Sequence, residues 1–350
     1  MTTVLEPLPV SVIIPAYDRA ALTAAAARSA LGQQPRPPAE VLVIDDCSSD
    51  GTAQAAEAAG ARVIRHERNL GRSQARNTGI QQASNPWIAT LDSDDRWFGH
   101  HLAALWPYTH EAVLVAGSAL ACGADPNGDR VWGVGGRRPH RLAGPADLLS
   151  RINFVVTSGA MVRRDALLAA GGFDASLSLN EDIDLWLRVL EHGPAVILPA
   201  VTVRYAIHVD QTSHDRNAMR QGYREVVSAY EGRSWWSPKR YDRLDGAMRW
   251  DEFRAALSRR SVGEALRAAR GIVARPERLR GTASLLNHRL RERRATSRVT
   301  RSGTPSIQHV DAHVLRVAWR LVRRPPGRLV TKSRLLRLVA RAAGIEVVTH

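Results

Sequence analysis

Three carboxylates crowd the end of an apolar run that begins at Trp87: Asp92, Asp94 and Asp95 in Leu91-Asp92-Ser93-Asp94-Asp95. Carboxylates this close repel one another unless a cation or hydrogen-bond donors hold them. A hard divalent ion such as Mg²⁺ or Mn²⁺ accounts for them economically, because it takes oxygen ligands and keeps positions open for substrate phosphates when one or two carboxylates bind it. A solvated turn or a helix cap would use the same residues. A second acidic group opens the segment Asn180-Glu181-Asp182-Ile183-Asp184-Leu185-Trp186-Leu187-Arg188. The dipole of a helix favours acids in its first turn. Ile183, Leu187 and Leu190 share one helical face, as do Leu185 and Val189, so Asp182 stands at the helix start, where a substrate could reach it.

The elements that must position these groups alternate. Val10 to Ile14 reads as a strand and Ala20 to Leu31 as a helix closed by Gly32. Glu40 to Ile44 and Gly51 to Ala59 repeat the pair, then Ala61 to Arg65 and Arg72 to Ala83, and Trp87 to Leu91 is a fourth strand. This order predicts an α/β fold, a mostly parallel sheet covered by helices on both faces. Ligands of such sheets sit at the carboxyl ends of the strands, and the residues there are polar: Pro15-Ala16-Tyr17-Asp18, Asp45-Asp46-Cys47-Ser48 and Asp92-Ser93-Asp94-Asp95. Beyond Gly99 the pattern loosens through a Gly-rich stretch, Gly117 to Gly144. Strands are expected at Ser158 to Arg163, Val196 to Leu198 and Val201 to Ile207. Helices are expected at Ala146 to Arg151, Arg164 to Ala170, Glu181 to His192 and His214 to Tyr230.

The net charge of +15 would ordinarily suggest an anionic partner, so its distribution decides what it means. Residues 253–350 hold 23 Lys and Arg against 5 Asp and Glu, which leaves 26 against 29 for residues 1–252. The basicity therefore belongs to the C-terminal extension. With two cysteines, Cys47 and Cys122, no disulfide framework is expected and the composition suits a reducing cytoplasm. Residues 1–9 carry no signal-peptide pattern, and no run approaches the roughly 18 apolar residues that span a bilayer.

Four ordered motifs resemble family 2 glycosyltransferases: Val10 to Asp18, Val41 to Thr52, Asn69-Leu70-Gly71-Arg72-Ser73-Gln74-Ala75-Arg76-Asn77-Thr78-Gly79-Ile80, and the Asp cluster. The resemblance runs over roughly residues 9 to 212. It implies the GT-A fold, a nucleoside diphosphate sugar donor, with a UDP-sugar favoured, bound Mn²⁺ or Mg²⁺, and inversion at the anomeric carbon. Pro15, Ala16, Tyr17 and Asp18 would line the nucleoside, and Asp46 would hydrogen-bond the base. Arg76 would lie near the donor phosphates, unless it is a solvated helical arginine. Asp92 and Ser93 would place the nucleotide. Asp94 would bind the metal with help from Asp92, Asp95 and His208, although a histidine at a strand end is as readily structural, and His214 competes for its role. Asp182 would deprotonate the acceptor hydroxyl, with Glu181 as the alternative base.

The resemblance divides the chain into a catalytic domain at 1–232, with a donor half near 9–98 and an acceptor half near 99–232, and an Arg-rich, mostly helical region at 233–350. A lipid-linked glycan, a polysaccharide end or a small molecule could serve as acceptor, in cell-surface glycan synthesis. The basic extension could meet anionic lipid on the inner face of the cell membrane, or oligomerise; nucleic acid is disfavoured because the main domain is near neutral. A sugar-nucleotide binder without turnover is the competing reading, disfavoured because every expected carboxylate is present. A dinucleotide oxidoreductase is disfavoured because no G-x-G-x-x-G follows the first strand.

Overall fold

The computed structural model describes residues 5–123, 129–134, 136–149, 154–208, 216–258, 262–278 and 280–282; His214, Arg259-Arg260, Arg291–Arg294 and Arg323-Arg324 lie outside them. The described residues divide into two compact units, the first comprising those of 5–148 and 154–235 and the second Leu149 with the described residues from Trp236 onward. The first holds, in order, β1 (Leu8–Ala16), α1 (Ala20–Leu31), β2 (Pro38–Asp45), α2 (Thr52–Ala58), β3 (Arg62–Arg65), α3 (Arg72–Gln82), β4 (Trp87–Thr90), β5 (Arg96–Trp97), α4 (His101–Leu105), β6 (Leu114–Gly123), β7 (Arg130–Trp132), β8 (His140–Leu142), α5 (Pro145–Leu148), β9 (Ala160–Arg163), α6 (Arg164–Ala169), α7 (Glu181–Val189), β10 (Ala195–Ile207) and α8 (Arg216–Ser228).

The strands form one mixed sheet in the order β3-β2-β1-β4-β9-β6-β10-β5, with β7 paired to β6 and β8 to β10. β1, β2, β3 and β4 run parallel, which is the half the alternating sequence foretold. β1 is central in it, and Val10, Val12, Ile13 and Ile14 are fully buried, as a strand covered on both faces requires. The second half departs from a purely parallel pattern, because β9 runs antiparallel to both β4 and β6. The two strands expected at 196–198 and 201–207 are one strand, β10. Its pairing with β6 shifts register between Ile197 and Val201, which is how a sheet accommodates Pro199.

Helix α3 lies directly on β1. A Cβ built on Gly79 would collide with the Ile13 side chain, so the absence of a side chain there sets how close helix and sheet come. The same face of α3 buries Ser73, Ala75, Arg76 and Ile80. Arg76 is therefore part of the helix's inner surface.

The second unit contains α9 (Pro238–Ser258) and α10 (Val262–Val273). Ala247, Trp250, Phe253 and Ala256 pack with Ala265, Ala268, Ala269 and Ile272. Acidic residues offset some of its arginines: Asp245 receives Arg249 at 2.7 Å and Arg278 at 2.9 Å, and Asp242 receives Arg275 at 2.9 Å. Among the described residues no helix is long and apolar enough to cross a membrane.

Candidate active site

The carboxyl ends of β1, β2 and β4 meet at one edge of the sheet, and the loops leaving them are tied to one another. Pro15 and Ala16 are the last residues of β1, in register with Ile44 and Asp45 of β2, and both are buried. Tyr17 follows with 48% of its surface exposed, so its ring is available for a base to stack on. Asp18 adopts a positive φ of 48° and its Oδ1 accepts from the backbone N–H of Ser49 at 2.6 Å and of Asp50 at 3.3 Å. These bonds join the loop after β1 to the loop after β2.

Asp46, expected to hydrogen-bond the base, is bonded here to groups of the protein itself. Its Oδ1 meets His66 Nδ1 at 2.7 Å and accepts from the Leu70 N–H at 2.9 Å, and its Oδ2 accepts from the Gly71 N–H at 2.7 Å. With the side chain buried and both oxygens engaged, Asp46 orders the turn that begins α3. The far nitrogen of His66, Nε2, lies 2.9 Å from the Thr78 hydroxyl, so the histidine is held between two elements. Asp45 caps the next turn, accepting from the Ser48 N–H at 3.0 Å.

The three aspartates of the cluster separate into different roles. Asp95 is fully buried, where its Oδ2 accepts from the Ser158 hydroxyl at 2.5 Å and its Oδ1 from the Ala206 N–H at 2.9 Å. Burial first, then the charges of Asp92 and Asp94, push its carboxyl well above the ordinary range. It is turned into the scaffold, fastening the Asp loop to β10, and this corrects the expectation that it faces a metal ion. Asp92 and Asp94 remain partly open. Asp94 Oδ2 lies 2.5 Å from Arg19 Nη1 and 2.8 Å from His208 Nε2. Asp92 Oδ1 lies 2.5 Å from Arg76 Nη2. Ser93 between them is buried.

Among the described residues no group of three or more His, Cys, Asp or Glu side chains gathers where an ion could sit. The converging pair is Asp94 with His208, one hard oxygen donor and one imidazole. Such a pair fits Mn²⁺ or Mg²⁺ when substrate phosphates and water complete the shell.

Arg76 spans from this cluster to the acceptor side. Its guanidinium is 3% exposed, donates to Asp92 Oδ1 and to Glu181 Oε1 at 3.1 Å, and lies 5.0 Å above the Phe173 ring. Burial opposes the charge, but the carboxylates of Asp92 and Glu181 outweigh it and hold the guanidinium protonated. Arg76, expected near the donor phosphates, forms an internal bridge here, because the face of α3 that carries it is the buried one. Glu181 is also buried and receives a second arginine, Arg72 Nε at 2.9 Å, so its oxygens are committed.

Asp182 is placed differently. Asn180, in the left-handed conformation at φ 60°, turns the chain into α7. Asp182 Oδ1 accepts from the Ile183 N–H at 2.8 Å, and Oδ2 accepts from the Thr157 hydroxyl at 3.2 Å. Burial first, then the adjacent Glu181 charge, push its carboxyl up to about 6. A carboxyl poised near neutrality is suited to take a proton. Between the two candidate bases the geometry favours Asp182.

Sequence reading missed the short turn Thr157–Gly159, which touches both acidic groups. The Ser158 hydroxyl accepts from the Asp92 N–H at 3.1 Å while it donates to Asp95. A Thr-Ser-Gly placed just before an apolar strand was the available signal.

A scan against family models matches residues 11–169 to "Glycosyl transferase family 2". This segment is a family 2 glycosyltransferase domain. It contains the donor-side loops, Arg76, the Asp cluster and Thr157, while Glu181, Asp182 and His208 lie beyond the matched residues. Two curated relatives are the succinoglycan biosynthesis protein ExoU of Rhizobium meliloti, 32% identical over 55% of this chain, and TuaG of Bacillus subtilis, described as a putative teichuronic acid biosynthesis glycosyltransferase, 39% identical over 25% of this chain. The chain spans 59% of the length of ExoU and 36% of that of TuaG. S. aureus TarS, crystallised with UDP-GlcNAc, superposes with a TM-score of 0.57 at 14% identity, covering 97% of this chain and 93% of that one. That likeness shows the fold, a GT-A type mixed sheet.

Proposed function

We propose that the protein transfers a sugar from a nucleoside diphosphate sugar, of the UDP class, to an acceptor hydroxyl with inversion, in the assembly of a cell-surface glycan. The observation that supports this reading is the Arg76 bridge, which joins Asp92 of the Asp cluster to Glu181, the chain neighbour of Asp182. The glycan and teichuronic acid names of the relatives and the UDP-sugar held by TarS support the class of reaction and donor.

In this mechanism Tyr17 stacks on the base and Asp182 accepts the proton of the acceptor hydroxyl. The acceptor oxygen forms its bond to the anomeric carbon from the face opposite the diphosphate, which leaves with the electron pair of the broken C–O bond. Asp94 and His208 would hold Mn²⁺ or Mg²⁺, with Asp92 close by. When bound, the ion neutralises charge that grows on the departing diphosphate. Arg19, on Asp94 at 2.5 Å, would donate to the same phosphates.

Thermal-shift measurements with UDP-, dTDP- and GDP-sugars, each with and without Mn²⁺, test the donor and metal parts together. A UDP-sugar is expected to stabilise the protein more with Mn²⁺ than without, and Asp94→Ala is expected to remove the Mn²⁺ increment. An equal shift in the variant would sink the metal role.

A lipid-linked acceptor would give the basic extension a purpose, since anionic headgroups attract arginine-rich segments within a Debye length of the surface. The full chain is then expected to float with anionic liposomes at low salt and to be released as salt rises. Failure to float at low salt removes the peripheral reading.

A further inference from the structure

The turn at Thr157–Gly159 is fixed from several directions before it reaches Asp182. The Thr157 carbonyl accepts from the Thr90 hydroxyl of β4 at 2.5 Å, and the Ser158 carbonyl accepts from Trp97 Nε1 at 2.6 Å. The Ser158 hydroxyl joins the Asp92 backbone to the Asp95 side chain. A Cβ on Gly159 would come within 2.9 Å of the Gly117 carbonyl oxygen, so the turn is pressed against β6. None of these contacts involves α7. The Thr157 hydroxyl is therefore set by the donor-side sheet and loop, and from that platform it reaches Asp182 Oδ2.

We propose that Thr157 is the positioning residue of the transfer base, its hydroxyl holding the Asp182 carboxylate in the one orientation that faces the donor site. The proposal rests on the reading of Asp182 as base. A carboxylate at a helix start has two oxygens and a rotating χ2; here the Ile183 N–H takes one oxygen and Thr157 the other. Without the hydroxyl, one of these two restraints is lost while the backbone restraint remains. Asp184 offers a comparison. It is clamped by Arg188 and by the Tyr230 hydroxyl at 2.6 Å, a structural arrangement that leaves no oxygen for chemistry. Thr157 gives Asp182 a neutral donor, which orients the carboxylate without adding a countercharge.

The charged and titratable groups acting on Asp182 include Glu181 beside it on α7, Arg76 from α3 and Tyr223 from α8. Glu181 raises the carboxyl, Arg76 and the Thr157 hydroxyl lower it, and the Tyr223 phenol is itself pushed up by burial and by the Asp182 charge. Loss of the hydroxyl should thus move the Asp182 midpoint in one direction only, upward. At 3.2 Å the bond is longer than the usual hydroxyl–carboxylate range, so the expected displacement is about half a pH unit.

The experiment is a ¹³C NMR titration of the full chain labelled at aspartate Cγ, with the Asp182 resonance identified by its loss in Asp182→Asn. The midpoint is expected to rise in Thr157→Val and in the smaller Thr157→Ala, and to return in Thr157→Ser. An unchanged or lowered midpoint in a folded Val or Ala variant, or no recovery in the Ser variant, overturns the proposal. The titration needs no donor or acceptor. Retained transfer by Asp182→Asn would remove the base reading and leave the titration result standing, so the two failures are distinguishable.

Discussion

Asp182→Asn is expected to lower transfer by about 10²- to 10⁴-fold, the usual contribution of a positioned general base, while the folded protein becomes more stable at neutral pH. Both effects have one origin. Burial and the Glu181 charge push the Asp182 carboxyl up to about 6, so the folded chain holds that proton more tightly than the unfolded chain does. Stability then falls as pH rises from the ordinary carboxyl range to about 6, and the cost persists above it, on the order of 1–3 kcal/mol. Asparagine carries no charge to bury and removes that cost. The lost helix-dipole interaction, about 0.3–1 kcal/mol, offsets only part of the gain. The parent's kcat/KM should fall below about pH 6 as the base becomes protonated. Rate measurements with a UDP-sugar and thermal denaturation at pH 5 and pH 8 check the pair. A variant that keeps its rate, or that loses stability equally at both pH values, contradicts the assignment.

What the sequence made legible was set by how local each determinant is. β1, β2 and β4 are continuous apolar runs bounded by polar turns, so their place and the polar loops after them could be read directly. The short strands β5, β7 and β8 could not, because two or three residues carry no period. Pro199 made one strand look like two, since its missing N–H is accommodated only by a register shift against β6 that no local pattern announces. The acidic residues were found by type and spacing, but which way each side chain turns is a tertiary property. Asp95 and Asp94 are neighbours in the chain, yet one faces Ser158 and the other faces Arg19 and His208. Thr157 and Asp182 stand 25 positions apart in the chain. Arg76 is the instructive case: the helix that carries it was legible, but that its face with Gly79 and Ile80 is the one laid on β1 is visible only in the fold.

Arg76→Met is expected to cost about 3 kcal/mol of stability, the lower end of the range for breaking a buried ion pair, which for a unit of this size lowers the Tm by roughly 6–12 °C. The lower end applies because neither carboxylate is wholly abandoned. Asp92 is partly open to water, and Glu181 keeps Arg72 at 2.9 Å. The loss of the guanidinium above Phe173 adds to the cost. Glu181→Gln in the same chain should restore part of the stability, since it removes a carboxylate that would otherwise stay buried with one partner fewer. Arg76→Lys should fall between, because an ammonium cannot reach Asp92 and Glu181 together with the geometry of the planar fork. The competing role, direct contact with the donor diphosphate, predicts the opposite pattern: weaker UDP binding by Arg76→Met at an unchanged Tm, and no rescue by Glu181→Gln. Denaturation curves of the two single variants and the double variant, together with UDP titrations of each, separate the two. An internal bridge gives a coupling energy between Arg76 and Glu181, whereas a phosphate ligand gives none.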